Sequence, residues 1–153
     1  VSAVILRTVK HRMADLMSKP GGPTIAAALD NADKELATRA GETLENVSAK
    51  VTALEGLPSG PLTPDMIEEA YALASDIVDV TGCLNMPELF RAAYNLCDIL
   101  DYGRTESCSR SAFDVHVQAL RLILTHGRNA AIRDLVVRLD AVKDRVLKGQ
   151  VEG

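Results

Sequence analysis

Leu73-Ala74-Ser75-Asp76-Ile77-Val78-Asp79-Val80-Thr81-Gly82-Cys83-Leu84-Asn85-Met86-Pro87-Glu88-Leu89 carries the clearest structural pattern in the chain. Apolar residues recur at steps of three and four on both sides of a short turn at Asn85-Met86-Pro87. That spacing belongs to a helix that buries one face, not to a strand, whose period is two. Pro87 suits the first position of the second helix, because its ring presets φ and its missing N–H has no intrahelical partner there. Short connections of this kind set successive helices side by side in an up-and-down bundle.

Working upstream, Thr63-Pro64-Asp65-Met66-Ile67-Glu68 starts the first of these two helices, with Thr63 as N-cap and acids in the opening turn. Its expected span is 63–82. Before it, Gly56-Leu57-Pro58-Ser59-Gly60-Pro61 breaks the chain. A long helix over 24–54 precedes that break, capped by Thr24. Its stripe is Ile25, Leu29, Ala32, Leu36, Ala40, Leu44, Val47, Val51 and Leu54, and Gly41 weakens it slightly. At 1.5 Å per residue such a rod is about 45 Å long. Lys19-Pro20-Gly21-Gly22-Pro23 separates it from a terminal helix over 2–18, with Ile5, Val9, Met13 and Leu16 on one face.

Downstream, the helix opened by Pro87 is expected to run to Leu100 and to end at Asp101-Tyr102-Gly103-Arg104. Ser109 caps the next, which carries Phe113, Val117, Leu120, Ile123 and Leu124 to Gly127. The last spans 129–148, with Ile132, Leu135, Leu139, Val142 and Val146 inward. The reading is one all-α domain over 1–153: an N-terminal helix (1–19), a four-helix bundle (24–126) and an added C-terminal helix (129–149).

The 153 residues suffice for one buried core. Seventeen Lys+Arg against 21 Asp+Glu give a net charge of −4, which speaks against nucleic-acid binding. Aromatics are 3% with no Trp, so bases would find little to stack on. No apolar run reaches the roughly 18–20 residues that span a bilayer, and no secretory signal opens the chain. The first residue is Val1, so the native start is left open. Cys83, Cys97 and Cys108 are an odd set without C-x-x-C spacing. They read as reduced thiols in a cytoplasmic protein, not as disulfide or zinc ligands.

The central stretch resembles the histidine-containing phosphotransfer domain of two-component signalling. That family is a four-helix bundle with a motif of the form A-H-x-(L/I)-K-G-x-(A/S)-G. The likeness covers roughly residues 63–125, and the long rod fits the preceding bundle helix. Ala74 and Ile77 keep the motif's buried positions and Gly82 its later glycine. Ser75 stands where the phospho-accepting histidine belongs, Val78 on the lysine position and Asp79 on the adjacent glycine. A phosphoimidazole exchanges phosphate reversibly with an aspartate, whereas a serine phosphoester is too stable to do so. Val78 removes the cation that would steady a phosphoryl group. Asp79 and Asp76 add negative charge that would repel one. Phe113-Asp114-Val115-His116-Val117-Gln118-Ala119-Leu120-Arg121-Leu122 and Pro20-Gly21-Gly22-Pro23-Thr24 also resemble small proteins that accompany chemotaxis gene clusters in alphaproteobacteria.

Other catalytic signatures are missing. The chain has no P-loop, dinucleotide-binding glycine pattern, H-E-x-x-H or G-x-S-x-G, and no EF-hand ligand pattern, so no metal or cofactor is expected. Of the histidines, His11 lies among basic residues and reads as solvated, and His126 as a helix C-terminal cap. His116 falls inside the apolar stripe of its helix, between Phe113, Leu120 and Ile123.

The resemblance therefore implies a signalling adaptor without phosphoryl chemistry, docking a response-regulator receiver domain or a histidine kinase. Its contact residues are expected to be Glu68, Ala72, Ser75, Asp76 and Asp79, with Arg91 and Asn95 on the neighbouring helix. Two alternatives stand beside it. One is an active phosphocarrier using His116. The other is a self-associating helical protein whose 24–54 rod offers an apolar stripe to a second copy.

Overall fold

The computed structural model describes residues 24–82, 86–127 and 129–149. The expected helix over 2–18, His11, Cys83 and the first residue, Asn85, of the expected turn lie outside them. The described residues form five helices and no strand: α1 (Ile25–Glu55), α2 (Pro64–Gly82), α3 (Pro87–Gly103), α4 (Arg110–His126) and α5 (Ala130–Leu147). None of these is long and apolar enough to cross a membrane.

Local chemistry accounts for the helix starts. The Thr24 hydroxyl accepts from the Ala27 amide at 3.2 Å, and the Thr63 hydroxyl from the Met66 amide at 3.3 Å. The Ser109 hydroxyl accepts from the Ala112 amide, and Asn129 Oδ1 from the Ile132 amide at 2.9 Å. Each satisfies one of the donors that a helix leaves open in its first turn. Asn129 is a cap the sequence reading did not single out.

The chain divides into two units, residues 1–38 and 39–153. In the first, every described residue, 24–38, is exposed, including Ile25, Leu29 and Leu36 of the expected stripe. In the second, the C-terminal end of α1 supplies Val47, Val51 and Leu54 to a core shared with Ile77 of α2, Leu96 of α3, Phe113 of α4 and Leu139 of α5. The last helix is no appendage: Ile132, Val136 and Leu139 all sit in that core.

Two findings differ from the sequence expectation. Helix α3 runs on to Gly103, through residues read as its terminator. Gly103 is buried, and a Cβ there would lie 2.5 Å from that of Cys108. The glycine thus serves a close approach of the following loop rather than a break. Asn95, expected on an exposed face, is buried at 2% exposure.

Candidate functional site

Helix α2 buries Ile67, Ala70, Ala74, Ile77 and Thr81. At 100° per residue, the positions turned away from these carry Asp65, Glu68, Glu69, Ala72, Asp76 and Asp79. All six are exposed, and Ser75 is half-buried at the edge of the face. The helix has five carboxylates and no basic residue.

Two of those carboxylates are held by neighbours on opposite flanks. Glu68 accepts from Arg104, at the end of α3, through both oxygens at 2.8 Å. The same guanidinium lies 4.1 Å from the centre of the Tyr71 ring and also pairs with Asp101 at 3.0 Å. Asp76 accepts from Lys50 of α1 at 2.6 Å. Asp79 and Ala72 stay in the open between these anchors.

The α2–α3 register is antiparallel. Glu68 meets Arg104 at one end, and the Phe90 ring lies 3.9 Å from where a Gly82 side chain would begin at the other. This register sets Cys97 across from Ser75. Phe90 and Tyr94, both partly exposed, stack with centroids 6.1 Å apart along the same border. A shallow cleft lined by Thr81, Gly82, Met86, Pro87 and Phe90 adjoins them.

This face is poorly equipped for nucleophilic chemistry. Burial, then the charges of Asp98 and Asp79, push the Cys97 thiol up to about 11, so it stays protonated at neutral pH. A serine needs an adjacent base to attack. Both described histidines lie on α4: exposed His126, with Nδ1 3.1 Å from the Leu122 carbonyl, and buried His116.

His116 is fully buried. Its Nδ1–H donates to the Ala112 carbonyl at 2.8 Å, since a carbonyl can only accept. Its Nε2 is buried without a hydrogen-bond partner among the described residues. Burial holds this imidazole below its ordinary 6.5, and the Lys143 charge adds to the effect. The Ala112 carbonyl, the Asp140 carboxylate and the Leu139 carbonyl oppose it. A neutral, enclosed ring is badly placed to take a phosphoryl group from another protein.

Of the expected contact residues, the structure gathers Glu68, Ala72, Ser75, Asp76 and Asp79 on α2. Arg91 and Asn95 lie on the other flank of α3, turned to α5. Asn95 Nδ2 donates to Asp140 Oδ1 at 2.7 Å, and Arg91 pairs with Asp140 Oδ2 at 2.6 Å. Asn95 is thus a buried tie between helices, not a surface group. The sequence reading passed over Arg104, Phe90 and Tyr94, which border the α2 face. Phe90 and Tyr94 are an i, i+4 aromatic pair flanking Ala93, a local signal that could have marked them.

Among the described residues, no group of three or more His, Cys, Asp or Glu side chains could hold a metal ion. No family model, no curated protein and no solved structure matches the chain.

Proposed function

We propose that this chain is a docking module of the helical phosphotransfer kind that carries no phosphate. It would receive a receiver domain or a histidine kinase of a two-component or chemotaxis pathway on the outer face of α2. The observation that carries the reading is the makeup of that face. Ala72, small and open at the centre, and Ser75, small and at the edge of the face, lie along the helix between the Glu68–Arg104 anchor and the open Asp79. A low, small-residue centre admits a partner helix closely, and a charged rim sets its orientation. The imidazole that the resemblance would put at Ser75 is missing, and Asp79 would repel a phosphoryl group there.

The test is a binding survey of purified receiver and kinase domains against the intact protein, with two surface variants. Ala72→Glu adds bulk and charge at the centre and should weaken a genuine complex at least about tenfold, or ~1.4 kcal/mol. Asp79→Lys reverses the rim and should change the association rate and its salt dependence. Both side chains are exposed, so the thermal midpoint should hold. A survey in which no such domain binds, or binding indifferent to Ala72→Glu, rejects the proposal.

A further inference from the structure

Helices α4 and α5 leave an open apolar groove between them. One end is lined by Ser111, Ala112 and Val115 of α4 with Val142 and Arg145 of α5. The antiparallel register that sets Val115 beside Val142 sets Leu122 beside Leu135, each seven positions, or two turns, away on its own helix. Val115 and Leu122 are 43% and 44% exposed. Ser111 and Gln118 border the groove on the α4 side and carry no charge. On the wheel Arg138 and Arg145 border it on the α5 side. Arg145 donates to the Ala141 carbonyl at 3.3 Å, and among the described residues neither guanidinium is in an ion pair. Of the acids on these two helices, Asp114 is held by Arg110 at 2.8 Å, Asp140 and Asp144 lie on the α3 side, and Asp134 lies further round α5. An apolar floor with a cationic edge fits an amphipathic helix that has apolar anchors seven apart and a carboxylate on one flank.

The first half of α1 is such a helix. Leu29 and Leu36 are seven apart and 61% and 65% exposed. On the wheel Asp30 and Asp33 lie on one flank of that stripe, and on the other Glu35 and Arg39 offset one another in charge. Lys34 lies behind the stripe and engages Asp30 at 2.7 Å, which leaves Asp33 open. Asp33 stands between the two leucines, as Arg138 stands between the two apolar pairs of the groove.

We propose that the α4–α5 groove receives the first half of α1 from a second copy of this chain, with Leu29 and Leu36 seated on Val115 and Leu122 and Asp33 facing Arg138. The two surfaces are unlike, so reciprocal docking closes a dimer and one-way docking builds a chain. The contact holds whether or not α2 receives a partner.

Sedimentation of the intact protein over a wide range of concentrations tests this, with circular dichroism as the check that each variant folds. The wild type should associate as its concentration rises. Leu36→Asp and Val115→Asp, one on each side of the contact, should each weaken association about tenfold or more. Mixing those two variants should recover association in part, because each supplies the surface that the other lacks. Arg138→Asp should weaken association and Asp33→Arg in the same chain should restore it. Arg138 is exposed, so this pair carries the test should Val115→Asp fail to fold. A wild type that is monomeric at every concentration overturns the proposal. Association indifferent to Arg138→Asp and Val115→Asp overturns it too, because the stripe would then be covered elsewhere, and so does a mixture that stays dissociated.

Discussion

At the residue scale, His116 gives the protein a pH signature. Burial holds its folded-state pKa below the ordinary 6.5, so above that value the ring is neutral whether folded or not and contributes no pH dependence. Below 6.5 the unfolded chain takes up a proton that the folded protein refuses, and stability falls with pH. For one group the slope cannot exceed about 1.4 kcal/mol per pH unit. Denaturant melts of wild type and His116→Gln from pH 7.5 downward check it: the wild type should lose more stability below 6.5 than the variant. Equal slopes would mean that the ring is solvated. Gly103 offers a second measurement. Alanine normally favours a helix over glycine by about 1 kcal/mol, but here its Cβ would meet the Cβ of Cys108 at 2.5 Å. Gly103→Ala should destabilise by about 1–3 kcal/mol in equilibrium unfolding. Position on the wheel made His116 legible as buried, since Phe113, Leu120 and Ile123 surround it on one stripe. Asn95 was not legible in that way. Its partner, Asp140, stands 45 positions away, and pairing over that distance leaves no mark on local sequence.

At the element scale, the helices and most of their boundaries followed from caps and spacing: Thr24, Thr63 and Ser109 all cap as read. What spacing could not show is which part of a stripe finds a partner. The α1 stripe is continuous in sequence, yet Val47, Val51 and Leu54 are buried while Ile25, Leu29 and Leu36 are exposed. Spacing did put Ile132, Leu139 and Val146 of α5 inward, where they are buried, but not which other helices they pack with, because an amphipathic helix looks the same at the edge of a bundle as within it. The joint between α1 and α4 is also long-range. Arg121 donates to both oxygens of Glu55, at 3.0 and 2.6 Å, and to the hydroxyls of Ser48 and Thr52, at 3.1 and 2.7 Å. The hydrogen bonds from Arg121 hold the Glu55 carboxyl below its usual 4.5. The stabilisation is therefore present above 4.5 and is lost as the pH falls through the lowered value. Arg121→Ala should cost about 1 kcal/mol, since the pair is partly solvated, and the cost should shrink in high salt. Chemical denaturation of the two proteins at low and high ionic strength reads both effects.

At the scale of the whole molecule, the proposed function separates helical scaffold from phosphoryl chemistry. The positions that the proposed function assigns to the scaffold pack accordingly: Ala74 and Ile77 are buried in the core, and Gly82 lies beside the Phe90 ring. The groups nearest to phosphoryl chemistry are unsuited to it: neither described histidine lies on α2 with Ser75, Cys97 is held protonated by burial and neighbouring acids, and His116 is enclosed on α4. In the native protein Cys97 should resist alkylation at pH 8 and react only on unfolding, which mass spectrometry of the labelled peptide would show. The outer face of α2 was legible in the sequence because exposure follows from the wheel. Its border was not, because Arg104 reaches Glu68 from the end of another helix. The most direct test is to mix the protein with receiver domains bearing radiolabelled aspartyl phosphate, and to follow complex formation and the fate of the label together. We expect a complex that Ala72→Glu disrupts and no acid-labile phosphate on this chain. Labelled phosphohistidine recovered from it, or a complex untouched by Ala72→Glu, would contradict the account.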